Sequence, residues 1–158
     1  MKKKDWLIMS YLRQNARMSL TNMSKKTHVP ISTIYDRIKL YQESIIQQYS
    51  TLLDFTQLGF NTKANVLFKV TKSAKAALLS YLEKHSHVNS LYKVNNGYDL
   101  LAQCIFPHIR DLEEFVEFLE EKFDILKKQT HYLITDVKQE TFLSDPDLLS
   151  TIQAVNFK

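Results

Sequence analysis

The stretch SLTNMSKKTHVPISTIYDRIKLY, residues 19–41, decides the N-terminal part of the fold. It divides into two helical patterns on either side of the loop Thr27–Pro30. Ser19 is a typical N-cap for the first helix, which is predicted to end near Lys26. The second helix is predicted to start at Ile31 or Ser32 and to end near Tyr41. The apolar residues predicted to face inward recur at helical spacing, and they are Leu20, Met23, Ile31, Ile34, Ile38 and Tyr41.

Two short helices joined by a tight turn form a helix-turn-helix, whose second helix fits the major groove of duplex DNA. The second helix here has short hydroxyls and cations outside its apolar stripe, and such side chains reach base edges and phosphates. The residues predicted to contact DNA are Ser32, Thr33, Tyr35, Asp36, Arg37, Lys39, Lys25, Lys26 and Arg17. A purely structural interpretation stays open, in which Lys25 and Lys26 are a solvated helix end and Arg37 is an ion-pair partner within the module.

The flanking sequence predicts two more elements of this module. A helix is predicted over Asp5–Asn15, where apolar residues recur at helical spacing and Asp5 favours the positive end of the helix. After the second helix of the motif, Ile45–Tyr49 is predicted to form a strand that closes the helical module. Together these elements predict a winged helix-turn-helix.

The charge distribution supports two modules. Residues 1–50 contain nine lysines and arginines against three acidic residues, a net charge of +6, whereas the rest of the 158 residues have a net charge of −2. A basic segment is attracted to a polyanion, and a charge difference between segments indicates different partners.

Composition excludes several classes of function. Gly59 and Gly97 are the two glycines, so neither a dinucleotide fingerprint nor a P-loop can form. Cys104 is the single cysteine, which excludes a disulfide framework and a CxxC metal or redox pair. No apolar run approaches the roughly 18 residues of a membrane span, and the N-terminus lacks signal-peptide features. We therefore expect a cytoplasmic protein without a membrane partner and without a cofactor.

From Ala64 onward the apolar pattern changes from helical spacing to the alternation typical of strands. Asn96-Gly97 is a strong hairpin signal, because both positions of a tight primed turn need positive φ. Strands are predicted at residues 64–70, 88–94, 98–106 and 129–138, and helices at 73–85, capped by Ser73, and 109–123. The order is β-α-β-β-α-β, the ferredoxin-like arrangement, which makes the whole chain an α+β protein.

The third predicted strand is apolar on both faces. Alternation places Tyr98, Leu100, Ala102, Cys104 and Phe106 on one side and Leu101 and Ile105 on the other, and Leu67 is placed like the latter pair. Both helices of a ferredoxin-like module cover the same face, so a second apolar face needs a partner sheet. We expect a homodimer built on residues 64–138, with Leu67, Leu101 and Ile105 in its interface.

Three stretches together resemble the leucine-responsive/asparagine-regulator (Lrp/AsnC) family of transcription regulators. The family's D-x-x-I-L-x-x-L opening has its counterpart in DWLIMSYL, residues 5–12, and its S-T-V-x-x-R-I signature in STIYDRI, residues 32–38. THYLITDVK, residues 130–138, is similar to the family's last strand. Departures are Pro30 where the family has Ser, and the absence of a Gly after the second helix of the motif.

The resemblance implies a sequence-specific, dimeric DNA-binding transcription regulator that assembles further into tetramers or octamers. Its domains would be a helix-turn-helix at 1–50, a linker at 51–63, a RAM-type dimerisation and effector domain at 64–143 and a tail at 144–158. It also implies that an amino acid or another small effector binds near a Gly-x-aromatic-Asp hairpin. The corresponding residues are Asn95, Asn96, Gly97, Tyr98 and Asp99, with Asn96 where the family has Gly.

Two other functions stay open from the sequence. Some proteins similar to this family are haem-pathway (sirohaem) decarboxylases, and of the five histidines His85 and His87 have a spacing that suits a metal. Alternatively, the chain is an interaction module that co-assembles with related regulators through its sheet. The basic helix-turn-helix argues against both, because its charges would have no task there.

Overall fold

A computed structural model describes residues 2–151 of the chain. The helices and strands, in chain order, are α1 (Lys3–Gln14), α2 (Leu20–Thr27), α3 (Ile31–Gln42), β1 (Thr62–Val70), α4 (Lys75–Lys84), β2 (Val88–Lys93), β3 (Leu100–Phe106), α5 (Ile109–Lys122) and β4 (Ile125–Tyr132). By their contacts, the described residues up to Leu52 and those from Val137 onward form one unit, here called the head unit. Leu53–Asp136 form the other, here called the sheet unit. None of the described helices is both long and apolar enough to cross a bilayer.

The three helices of the head unit pack around one small apolar cluster. Its fully buried members are Ile8, Met23, Val29, Ile34 and Tyr41. Ser19 caps α2 as predicted, because its hydroxyl accepts the Asn22 N–H at 3.2 Å. His28 then adopts a left-handed conformation (φ 52°), which ends α2 and turns the chain toward α3. The helix-turn-helix is therefore confirmed.

Two details of the head unit differ from the prediction. Ile31 was expected to face inward, but it is the first residue of α3 and is 45% exposed, because the opening turn of the helix lies beyond the apolar cluster. The strand expected at Ile45–Tyr49 is also wrong, since this stretch is turn and irregular backbone. A strand needs a partner, and all four described strands lie in the sheet unit.

The sheet unit confirms the ferredoxin-like order. Its antiparallel strands lie in the order β2-β3-β1-β4, with β1 and β3 in the centre. Side chains of β1 alternate between buried and half-buried, so one face of the sheet packs into the core. That core also contains the inward residues of the two helices, which are Leu78, Leu82, Leu112, Phe115, Val116 and Leu119.

Three expectations for the sheet unit were wrong in detail. Ser73 does not cap the first helix of this unit, because α4 starts at Lys75 with Ala74 as its N-cap residue. The last strand is not 129–138: β4 starts at Ile125, where it meets Val70, and stops at Tyr132, because β1 offers few further residues to pair with. Tyr98 does not share a face with Leu100. It precedes β3, which begins at Leu100, and its hydroxyl donates to Gln129 Oε1 at 2.8 Å.

Candidate nucleic-acid interface

The outer face of α3 is polar and open to solvent. Ser32, Thr33 and Asp36 are exposed, as is Lys39 one turn later. Tyr35 is 58% exposed, although it is a large aromatic side chain. The opposite side of α3 anchors the helix through the buried Ile34 and Tyr41. A rigid helix therefore presents hydroxyl, phenol and ammonium groups, which are suited to base edges and phosphates.

The cations predicted around this helix are also exposed. Lys25 and Lys26 lie in the last turn of α2, and Arg17 lies in the turn before that helix. The Lys26 ammonium stands 5.2 Å from the centre of the Tyr11 ring, a cation–π contact that limits where it can point. These three side chains add positive charge to the head unit.

Arg37 differs from the other predicted DNA contacts because it has a partner inside the head unit. Its Nε lies 3.7 Å from an oxygen of the Asp5 carboxylate, which is 8% exposed. The Lys2 backbone N–H donates to the same carboxylate at 2.7 Å. Arg37 is therefore an ion-pair partner within the head unit, as the purely structural interpretation expects. Its side chain is still 37% exposed and can make a further contact.

Asp5, Arg37 and Tyr41 form a partly buried polar cluster that links α1 to α3. Burial acts to raise the pKa of Asp5, but the Lys2 N–H, the Tyr41 hydroxyl and Arg37 together outweigh it and hold this pKa below its usual value. Burial and the Asp5 carboxylate raise the pKa of Tyr41. The Tyr41 hydroxyl is buried beside this carboxylate, but no partner among the described residues meets it with good hydrogen-bond geometry.

The sheet face away from the helices carries the predicted dimer residues. Leu67 lies directly opposite Leu101 in the β1–β3 pair, and Tyr92 lies opposite Leu101 in the β2–β3 pair. Leu67 and Leu101 are half-buried, whereas Ile105 is 7% exposed within one chain. Leu67, Leu101 and Tyr92 thus form an apolar strip across this face, and Tyr92 is 56% exposed.

A polar ladder crosses the same face. Asn89 Nδ2 donates to Gln103 Oε1 at 2.8 Å, and Gln103 Nε2 donates to Asn65 Oδ1 at 3.4 Å. None of these three residues was predicted as functional from the sequence. The alternation in β3 contains the signal, because Gln103 stands between Leu101 and Ile105 on the outward side.

The hairpin predicted to bind an effector has the expected turn. Asn96 and Gly97 both have positive φ, 59° and 91°, so asparagine adopts the conformation without its usual glycine. Asp99 is held from three directions: Lys75 at 2.9 Å, Lys69 at 3.1 Å and the Val70 backbone N–H at 3.2 Å. Its carboxylate is thus engaged inside the chain. Binding of an effector by Asn95–Asp99 stays a prediction.

The two histidines considered as metal ligands belong to an aromatic cluster instead. The His87 ring stacks on Phe106 at 4.3 Å, and His85 lies 4.4 Å from the Phe115 ring. His87 Nδ1 is bound to the Ile105 carbonyl at 2.7 Å. Among residues 2–151 no group of three or more His, Cys, Asp or Glu side chains is arranged to hold a metal.

Comparisons with known proteins match both halves of this description. A family model described as winged helix-turn-helix DNA-binding matches residues 1–44. An uncharacterised HTH-type transcriptional regulator of Pyrococcus furiosus is 27% identical over 137 residues, 86% of this chain and 93% of that protein. The HTH-type transcriptional regulator FL11 of the same organism is 27% identical over 116 residues, 73% of this chain and 77% of that protein.

Solved structures show the same fold over most of the chain. A transcriptional regulator of Neisseria meningitidis, in complex with L-methionine, superposes with a TM-score of 0.82 at 20% identity, covering 88% of this chain and 93% of that one. An AsnC-family regulator of Agrobacterium tumefaciens gives 0.78 at 17% identity, covering 88% and 94%.

Residues 1–44 therefore match a winged helix-turn-helix DNA-binding family, and relatives similar over most of the chain are HTH-type transcriptional regulators. The chain has the fold of the Lrp/AsnC regulators, which confirms the resemblance found in its sequence.

Proposed function

We propose that the chain regulates transcription by binding duplex DNA as a homodimer, with α3 of each protomer in the major groove. The observation that carries the proposal is the two-sided character of α3. Its apolar side is anchored in the head unit by Ile34 and Tyr41, while Ser32, Thr33 and Lys39 are exposed. In the second helix of a helix-turn-helix, an outward set of this kind faces the major groove.

The charge of the head unit supplies the attraction to the duplex. Nine cations against three acids lie in residues 1–50, and Lys25, Lys26 and Arg17 are exposed. Phosphate contacts of this kind release counterions, so affinity falls with salt by roughly 0.9 log unit per log unit of salt for each phosphate neutralised.

The sheet unit supplies the pairing. Leu67, Leu101 and Tyr92 form an apolar strip on the outward face of the sheet. The sheet of a second copy can cover this face through a two-fold axis. The two head units of the dimer then contact two half-sites of one duplex. Further assembly gives tetramers or octamers. We propose a small effector, with an amino acid as the class, at the hairpin Asn95–Asp99; the Neisseria regulator of this fold was solved with L-methionine.

The experiment is a mobility-shift titration with duplexes selected from a random pool. The double change Ser32→Ala and Thr33→Ala should lower affinity for the selected sequence about tenfold and leave binding to random duplex almost unchanged, because hydroxyls contact base edges. Lys39→Ala should weaken both and reduce the salt slope by about 0.9. The matched control is Lys84→Ala, which removes an exposed lysine from the last turn of α4 in the sheet unit.

Arg37→Ala is a poor test of DNA contact, because it also removes the cationic partner of the buried Asp5. Its effect on affinity has to be read beside its effect on the unfolding temperature. If the Ser32/Thr33 variant and the Lys39 variant both bind like the unchanged protein, α3 is not the DNA-reading helix and the proposal is wrong.

A further inference from the structure

The segment that follows the sheet unit returns to the head unit and is held there by one arginine. Arg13, in the last turn of α1, donates from Nη2 to the Glu140 backbone carbonyl at 2.9 Å and to Glu140 Oε2 at 3.0 Å. Its Nε donates to the Phe142 carbonyl at 3.2 Å. A guanidinium with three bonds to one short stretch is a specific attachment, because its donors form a fixed fork.

A second contact fixes the far end of this C-terminal segment, residues 137–151. Leu149 is only 5% exposed, although it lies in a stretch with no other buried residue. The 3₁₀ turn Pro146–Leu148 just before it contacts α1. The segment is therefore docked at two points along the head unit.

The docking is also loose enough to be reversible. Glu140 and Leu143 have positive φ, 49° and 63°, a conformation that side chains with a β-carbon disfavour. An open hollow of about 450 Å³ lies between the end of α1 and the segment. Arg13 and Glu140 are both exposed, at 39% and 59%, so water can replace their contact.

The segment is acidic, whereas the helices it docks on are basic. Glu140, Asp145 and Asp147 outweigh Lys138, which gives residues 137–151 a net charge of −2 against +6 for residues 1–50. Glu140 forms an ion pair with Arg13, one of the nine lysines and arginines in residues 1–50. A docked anion on a DNA-binding unit lowers its attraction to phosphates within a Debye length of about 10 Å at moderate salt.

We propose that the C-terminal segment is an autoinhibitory strap: docked through Arg13 and Leu149, it weakens DNA binding, and its release strengthens binding. This inference rests on the proposed DNA-binding function. Docking pairs Arg13 with Glu140 and adds negative charge to a basic unit, so DNA binding and strap docking oppose each other.

Three full-chain variants test the strap, each assayed with a random-sequence duplex at low salt and by the rate of trypsin cleavage after Lys138. Glu140→Gln removes the charged partner of Arg13, and Leu149→Ser removes the buried anchor without changing charge. Both should speed cleavage and raise DNA affinity by about threefold or more. Asp147→Asn is the matched control: it removes the same charge from the same segment but makes no contact with Arg13, so its effect should be smaller.

The outcomes separate the two proposals. If the unchanged protein and all variants fail to bind any duplex, the DNA-binding function itself is wrong and the strap inference falls with it. If the unchanged protein binds DNA and Glu140→Gln and Leu149→Ser bind no more tightly, the strap inference alone is wrong. Faster cleavage with weaker DNA binding would also overturn it, because the segment would then support the head instead of inhibiting it.

Discussion

Asp99 shows how one carboxylate holds the base of the hairpin. Contact with the Lys75 ammonium, then the Val70 N–H and the Lys69 ammonium, lowers the pKa of Asp99 from 3.8 to about 2. A carboxyl whose pKa is lower in the folded state stabilises the fold above its unfolded pKa. This contribution is lost as pH falls through the folded pKa.

We therefore expect the stability of the sheet unit to decline between about pH 4 and pH 2 partly because Asp99 takes up a proton. Asp99→Asn should lower the urea midpoint at pH 7 and make the midpoint less dependent on pH within that window. Far-UV circular dichroism during urea titration measures both effects. Asp111→Asn serves as the control, because Asp111 caps α5 through the His108 N–H and has no lysine partner among the described contacts. An unchanged pH dependence in Asp99→Asn would contradict this account.

At the scale of elements, α2 is a short helix whose start depends on one hydroxyl. Its eight residues give few internal hydrogen bonds, so capping is a large share of its local stability. Ser19→Ala leaves the Asn22 N–H without its acceptor and should cost about 1 kcal/mol. Chemical denaturation of the head unit, followed through Trp6, measures this loss. Ser32→Ala on the exposed face of α3 should cost much less, and equal losses from both changes would show that the cap contributes no more than an exposed hydroxyl does.

The elements also show which structure can be predicted from sequence. The α2 cap and the Asn96-Gly97 turn were predicted correctly because both depend on residues within a few positions. The start of α4 and the limits of β4 were not, since the first depends on how the chain leaves β1 and the second on where β1 ends. Ile31 was misplaced because spacing alone does not reveal how far the apolar cluster extends.

In the candidate site too, features set by local sequence could be predicted and contacts between distant segments could not. The exposed set on α3 follows from helical spacing, so Ser32, Thr33 and Lys39 could be placed on its outer face from the sequence. The partnership of Arg37 with Asp5 joins two helices far apart in the chain, and no local pattern contains it. The attachment of Glu140 to Arg13 spans 127 residues and could only be found in the structure.

At the scale of the whole molecule, we expect the outward sheet face to form the dimer interface. Leu101→Asp puts a charge in the centre of the apolar strip and should convert the dimer to monomers, because an unpaired charge is costly to bury in an interface. Light scattering coupled to size exclusion measures the mass. Ile109→Asp is the control, since Ile109 is an exposed apolar residue on α5, in the helical layer. A monomeric unchanged protein, or a dimeric Leu101→Asp variant, would show that this face is not the interface.

The head unit consists of two stretches that are separate in the chain, so they are synthesised at different times. The ribosome releases α1, α2 and α3 before Leu53–Asp136, whereas residues 137–151, which also belong to the head unit, follow the sheet unit. Under the strap proposal, a nascent protomer has α3 before it has the segment that restrains DNA binding. The same proposal predicts that a protomer stalled before residues 137–151 emerge binds DNA more tightly than the full chain does.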